Sequence, residues 1–403
     1  MRHPSSFLLL VLLVLATACG GGGGSSGGEP GAGSWLIHGY VACEGDPGGV
    51  RVVLDGDVEA STTSDASGYF RFAGVPNGSY RVMPVSGGCD FAPDYYDLLI
   101  AGQQPHPVEF EREPLTNAQA PEDPVRLVMI HQETGAALLD THQGNLGANL
   151  AHQNYFVRNV TRGWDAPQNP DIGDRTDVGA YWTWFADPTV QANGVATRDN
   201  ILQALYTTNA KTGTWPSDLA DPGGENEILL ILSPSASNAL RDANGTTPED
   251  LQGQPHTEPA HTLVNCKAIY AELLVAFKAH PHKMFVILTA PPLADGMTTE
   301  TEAGNARALS DWLVQAWLQE ADWLNRNVYV WDLYNVLTAP TNHHRYHLGA
   351  VEHEQAASWN TAAYATSATD STPNPEGSFK VTSELLGVLN VSYHRWHHWF
   401  TTP

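Results

Sequence analysis

Three stretches of the chain are almost continuously apolar: "VRLVMI" at 125–130, "EILLIL" at 227–232 and "KMFVILTAP" at 283–291. A fourth, "NVYVWDLYNVL" at 327–337, is similar. A strand with one wet face alternates apolar and polar residues, whereas a strand buried on both faces does not. Between the runs lie segments with apolar residues at helical spacing, "TLVNCKAIYAELLVAFKAH" (262–280) and "ARALSDWLVQAWLQEADWL" (306–324). Strands alternating with helices predict a parallel sheet covered on both faces, a three-layer α/β domain over 125–403. Ligands of such sheets bind beyond the carboxyl ends of the strands, so the residues after each run matter most.

Residues 35–113 have another texture. Short alternating runs, "SWLIHGYVAC", "GVRVVLDG" and "ASTTSDASGYFRFAGVPNGSYRVMPV", are separated by Asp46-Pro47-Gly48-Gly49, Ser67-Gly68 and Pro76-Asn77-Gly78. This spacing of strands and turns predicts a small all-β sandwich. The order "G-V-x-V-x-L … T-x-S-D-x-x-G-x-F-x-F-x-G-V-P-x-G-x-Y-x-V" resembles the carboxypeptidase regulatory-like, transthyretin-type domain. The resemblance implies a spacer or adhesion module, with Asp65 and Gly68 shaping one turn and Val75, Tyr80 and Val82 in the core. No aromatic platform in the segment favours sugar binding. A Pro-rich linker at 114–124 follows.

The chain begins "MRHPSSFLLLVLLVLATACGGGGGSSGG". Arg2 and His3 precede an apolar stretch, Phe7 to Leu15, too short to span a bilayer as a mature helix. "ATAC" sets small residues before Cys19, with Ala16 where leucine is commoner. The pattern resembles a bacterial lipoprotein signal over 1–19. It implies cleavage before Cys19, lipidation of its thiol and a protein held on an envelope membrane, at the outer membrane or cell surface. The alternative is ordinary secretion after "ATA". Residues 20–34 form a flexible Gly/Ser tether in either case. Export permits disulfides. Cys43 and Cys89, both in the β segment, are expected to pair, and Cys266 to be a buried thiol in a helix. The net charge of −24 excludes the clustered cations that nucleic acid needs. No cofactor is expected.

The larger domain carries "N-Y-F-V … G-W … I-G-D-x-T-D-x-G … W-x-W-F", "P-G-G-E-N-E-I", "T-A-P-P" and "G-A-V-x-H" over about 125–386. These segments resemble exported bacterial members of the SGNH (GDSL-like) hydrolase superfamily. The resemblance implies a flavodoxin-like parallel sheet and an ancestor that was an esterase or deacetylase acting on acylated carbohydrate. Such enzymes need a serine after the first strand and a histidine near the C-terminus. They also need an aspartate just before that histidine, and a glycine and an asparagine for the oxyanion. In this chain Glu133 of "HQETG" falls on the serine position, with Thr134 beside it. Gly144, Asn145 and Gly147 keep the glycine block, and the asparagine block falls near Ser237 and Asn238. Asp370 is in place, and Thr372 replaces the histidine.

Losing either serine or histidine removes on the order of 10⁴ or more of the rate, because the parts act as one unit. The leading reading is therefore a silenced or weakly active hydrolase, using its old cleft to bind carbohydrate or acylated polysaccharide. One alternative is an active hydrolase with rearranged residues. Glu133 and Asp370 can pair as carboxylates, Ser233, Ser235 or Ser237 can serve as a displayed nucleophile, and His131, His142, His343, His344, His347 or His353 can supply an imidazole. The other is a surface-adhesion protein. His343/His347 and His394/His398 are spaced by four, which on a helix suits a metal pair, but neither pair has a third ligand and no metal is expected.

Overall fold

The computed structural model describes residues 34–42, 47–85, 91–92, 95–112, 116–161, 164, 177–187, 191–192, 195–244, 247–321 and 323–401. The expected signal segment, with Cys19, and the expected Cys43–Cys89 pair lie outside the described residues. The chain divides into two compact units, with the boundary between Glu111 and Arg112.

The first unit holds two four-stranded sheets. One orders its strands Tyr69–Val75, Trp35–Val41, Val108–Arg112, Phe91–Ala92. The other orders Ala60–Thr63, Arg51–Gly56, Gly78–Val85, Tyr96–Ile100. Alternate residues point inward: Ile37, Val52, Leu54, Phe70 and Val82 are buried, their neighbours in sequence less so, and Phe110 is buried too. Tyr96 of one sheet meets Phe110 of the other edge to face at 5.2 Å. Two sheets sharing an inner face make a sandwich. Val75, Tyr80 and Val82 are in this core. At the Asp65 turn, Oδ1 accepts from the N–H groups of Ser67 and Tyr69. Gly68 sits at φ +80°, where a Cβ would lie 2.2 Å from Val41 O.

The larger unit is built on one parallel sheet. Its strands are β1 (Val125–Ile130), β2 (Tyr155–Val160), β3 (Ile228–Leu232), β4 (Met284–Leu288) and β5 (Val328–Trp331). They run in the order β2-β1-β3-β4-β5, every pair parallel. This is a doubly wound order, whose switch point lies between β1 and β3. Alternate residues of the buried strands enter two separate cores. Val128, Leu229, Ile231, Phe285 and Ile287 pack with Cys266, Ile269, Tyr270 and Leu273 of α4 (Leu263–Lys278). Leu127, Met129, Leu230, Val286 and Trp331 pack with residues of α1 (Glu133–Leu139), α2 (Leu146–His152) and the last helix, α7 (Pro375–Thr401). Another helix, α3 (Thr197–Thr207), precedes β3.

The structure corrects the sequence reading at several elements. "NYFVRNV" is a fifth strand, β2, whose polar residues find distant partners: Asn159 reaches His131, and Arg158 Nε donates to Asn209 Oδ1 at 2.6 Å. The run 327–337 is not one strand, because β5 ends at Trp331 and α6 (Leu333–Thr338) begins after Asp332, whose side chain caps it. Before it, α5 (Glu300–Trp312) starts ahead of the predicted 306, at a capping box of Thr299 and Glu302. Beyond α6 come two hairpins, β6 (Asn342–His347) with β7 (Ala350–Gln355), and β8 (Ala365–Ser367) with β9 (Asp370–Pro373). His343 and His347 therefore lie on a strand, bonded to Glu384 and Glu352, and not at one helical pitch. His394 of α7 bonds Gln119 O. Among the described residues no group of three metal-ligating side chains forms, and no helix is long and apolar enough to cross a membrane.

Candidate functional site

Glu133 is the first residue of α1, just beyond β1, and it is exposed. Thr134 is buried in the first turn of that helix. The strand β9, carrying Asp370 and Thr372, packs against α1, so the fold does bring these segments together. Asp370 itself is exposed, and its Oδ1 accepts from Thr372 N at 2.9 Å. That backbone bond, with one from the Thr372 side chain, holds the carboxyl below its ordinary value. The carboxylate closes a turn, and among the described residues no imidazole bonds to it. Glu133 and Asp370 are both exposed, on a helix and a strand that pack together.

His131 supplies no base to this position. It is 1% exposed. Its Nδ1 lies 2.7 Å from Gln132 O and donates to it, so Nε2 accepts from Asn159 Nδ2 at 2.8 Å. The tautomer follows from this network. Burial pushes the imidazole down to about 4, which leaves it neutral and fully bonded. His142 is exposed, in a turn whose N–H bonds Asp140.

The glycine block has a packing reason. A Cβ at Gly144 would lie 2.3 Å from Leu138 O, and one at Gly147 2.4 Å from the Trp215 ring. Asn145 takes the left-handed conformation at φ 53° and opens α2, and Thr382 of α7 donates to Gly144 O. The asparagine block is corrected. Asn238 donates both amide hydrogens, to Ala290 O at 2.7 Å and Pro291 O at 2.9 Å, so neither remains for an oxyanion. Ser233 and Ser237 are buried and not displayed. The Ser237 hydroxyl has no hydrogen-bond partner among the described residues. Cys266 is buried beside His261, as expected, and burial pushes its thiol up.

A carboxylate–imidazole pair does form, elsewhere on the carboxyl edge of the sheet. Asp332 follows β5 directly, and its side chain is 0% exposed. Oδ2 accepts from His353 Nε2 of β7 at 2.8 Å. Oδ1 accepts from Thr289 Oγ1, just beyond β4, and from Asn335 N, each at 3.1 Å. Burial pushes this carboxyl up, and the His353 and Asn335 hydrogen bonds more than offset it, so the net shift is downward. The Asp332 N–H donates to Nδ1 of His344, which stacks on Trp331 at an interplanar angle of 12°. Burial drives His344 down to about 3. Glu384 of α7 holds this hairpin in turn, accepting from His344 N and from Lys380 and pairing with His343. The sequence named His353 only within a histidine group and missed Asp332. Its signal was there: a lone carboxylate splitting an apolar run directly after a strand.

No protein-family model matches the chain, and no curated protein does. Among the solved structures that are weakly similar are two carbohydrate esterases. One is a carbohydrate esterase family 2 enzyme with a carbohydrate-binding domain from Corynascus thermopiles (Myceliophthora fergusii). It is 13% identical at a TM-score of 0.29, over 90% of this chain and 93% of that one. The other is a carbohydrate acetylesterase from Xanthomonas citri, 10% identical at a TM-score of 0.24, over 75% of this chain and 66% of that one. At these scores neither carries an argument about this chain.

Proposed function

We propose that this is an exported, lipid-anchored protein whose larger unit is an SGNH-type hydrolase fold with a vacated serine–histidine position. It serves chiefly to bind acylated carbohydrate at the carboxyl edge of its sheet. One observation carries the reading. Helix α1, just after β1, packs against β9 before the last helix, and at the positions where the resemblance implies a nucleophile and its base these elements carry Glu133 and Thr372. Asp370, the group that would orient the base, instead closes on the N–H of Thr372. Without an imidazole here no group titrates near neutrality to relay a proton. The Cys19 anchor and the spacer role of the sandwich belong to the same reading.

The test is a gain of function. Purified protein and the double variant Glu133→Ser, Thr372→His are compared on 4-nitrophenyl acetate. Turnover gained by the double variant and abolished again by Asp370→Ala supports the vacated site. A folded double variant no faster than its parent refutes it. Binding of the parent to acetylated but not deacetylated xylan tests the carbohydrate.

A further inference from the structure

The Asp332–His353 pair is more than a hairpin fastening. Its carboxylate has no exposed surface, yet it is held ionised by donors from the ends of two strands and a helix. The imidazole it holds is 22% exposed. Because Nε2 donates to Asp332, Nδ1 is the free acceptor nitrogen, and among the described residues it has no partner. The fully buried His131, by contrast, has both ring nitrogens bonded within the protein. Beside the pair sits Asp311 of α5, close enough for the charges of His353 and Asp332 to act on it. Among the described residues its Oδ1 is shielded from solvent without a hydrogen bond, 4.0 Å from Arg307 Nη1, while the Gln355 side chain bonds the carboxyl. Burial pushes Asp311 up while Asp332 is pulled down. Two neighbouring carboxyls driven apart are a pattern from which acid–base sites are built. The location agrees, since doubly wound sheets place their chemistry beyond the carboxyl ends of strands. The loop after β7 adds Trp359, 60% exposed, whose carbonyl is held by Arg307.

We propose that His353, oriented by Asp332, is a general base that activates water against a carboxylic ester. The ester class rests on the hydrolase reading given above; the acid–base pair itself does not. Nδ1 takes one proton from water as the water oxygen bonds to the acyl carbon. The tetrahedral intermediate then breaks its bond to the alcohol oxygen, and Nδ1 returns the proton to that oxygen. The products are the acid and the alcohol, with the Nε2–H bond to Asp332 kept throughout. No covalent intermediate forms, so neither the missing serine nor Thr372 is needed. Water attack without a nucleophile or an oxyanion hole gives a modest rate.

Hydrolysis of 4-nitrophenyl acetate and of acetylated xylo-oligosaccharide is measured on the full chain and on His353→Gln, Asp332→Asn and His152→Gln, the last an exposed histidine as control. The expected result is a loss of tenfold or more in His353→Gln and in Asp332→Asn, with His152→Gln at the parental rate. The proposal is overturned if His353→Gln loses no more than the control, or if the parent hydrolyses neither substrate above buffer. Should a variant fold poorly, nitrogen NMR of the parent decides independently. A His353 ring protonated at Nε2 and bare at Nδ1, with the tautomer reversed in Asp332→Asn, is required. The Glu133→Ser, Thr372→His experiment leaves His353 untouched, so failure of either idea is distinguishable from failure of the other.

Discussion

Replacing Asp332 separates the shape of the site from its charge. Its carboxylate accepts hydrogen bonds from His353 Nε2 at 2.8 Å and from Thr289 Oγ1 and Asn335 N at 3.1 Å each, fully buried. Asp332→Asn keeps the volume and one oxygen, which still accepts from Thr289 and Asn335. Its amide hydrogens then face His353, which must turn its proton to Nδ1. One charge-assisted bond becomes a neutral one, a cost of about 1–2 kcal/mol. Asp332→Ala leaves every donor without an acceptor and opens a cavity, a cost of about 3–5 kcal/mol. The assay is urea unfolding of parent and both variants at neutral pH and at lower pH. The folded carboxyl lies below its ordinary value, so its contribution is complete above about 4, the unfolded value, and is lost as pH falls through the lower folded value. The gap between parent and Asp332→Asn should therefore close in acid. Equal costs for Asn and Ala, or an Ala cost below about 1 kcal/mol, would refute the reasoning.

Gly144→Ala and Gly147→Ala should each destabilise by about 1–3 kcal/mol, because the clashes are with a carbonyl and a buried indole that have little room to move; unchanged thermal midpoints would show that the packing is looser than drawn. Asn238→Ala strips the donor from two carbonyls and should cost about 1–3 kcal/mol by denaturant unfolding while leaving any ester hydrolysis unchanged. His131 is held at about 4 and His344 at about 3, below an unfolded value of about 6.5. The unfolded chain thus binds more protons in that window, and stability should fall as pH drops from about 6.5 towards 4, by up to about 1.4 kcal/mol per pH unit for each histidine. His131→Asn should show a shallower fall, and an identical slope would exclude His131 as a contributor. Cys266, fully buried with its thiol pushed up, should resist thiol reagents until the protein is unfolded, with labelling read by mass spectrometry.

Most of the sheet was legible because burial on both faces removes the polar residues that would otherwise interrupt a strand. β1, β3 and β4 are buried at every position. β2 escaped because Arg158 and Asn159 break its run, and their partners, Asn209 and His131, are distant in sequence. β5 was overextended because an apolar strand and a buried helix read alike, and only Asp332 marks the change. The candidate site was legible as positions and not as roles. The sequence pointed to Gly144, Gly147 and Asn238, but residue type cannot distinguish a glycine that admits an oxyanion from one that admits an indole. Nor can it tell an asparagine aimed into a cleft from one holding the loop after β4.

A buried carboxylate is costly, and replacement by apolar residues is often neutral or stabilising. The Asp332 network therefore calls for a reason beyond cohesion. Fastening the hairpin is one, but Glu384 already fastens it, through His343, His344 N and Lys380. What Asp332 adds is the orientation of one ring: it fixes the proton on Nε2 of His353 and turns Nδ1 outward. The fastening uses only the Nε2–H, while a base also needs Nδ1 bare, and both follow from the same tautomer. Asp332→Asn preserves the packing and reverses that choice, so stability and reactivity should part in this variant: a small loss in the first, a large one in the second.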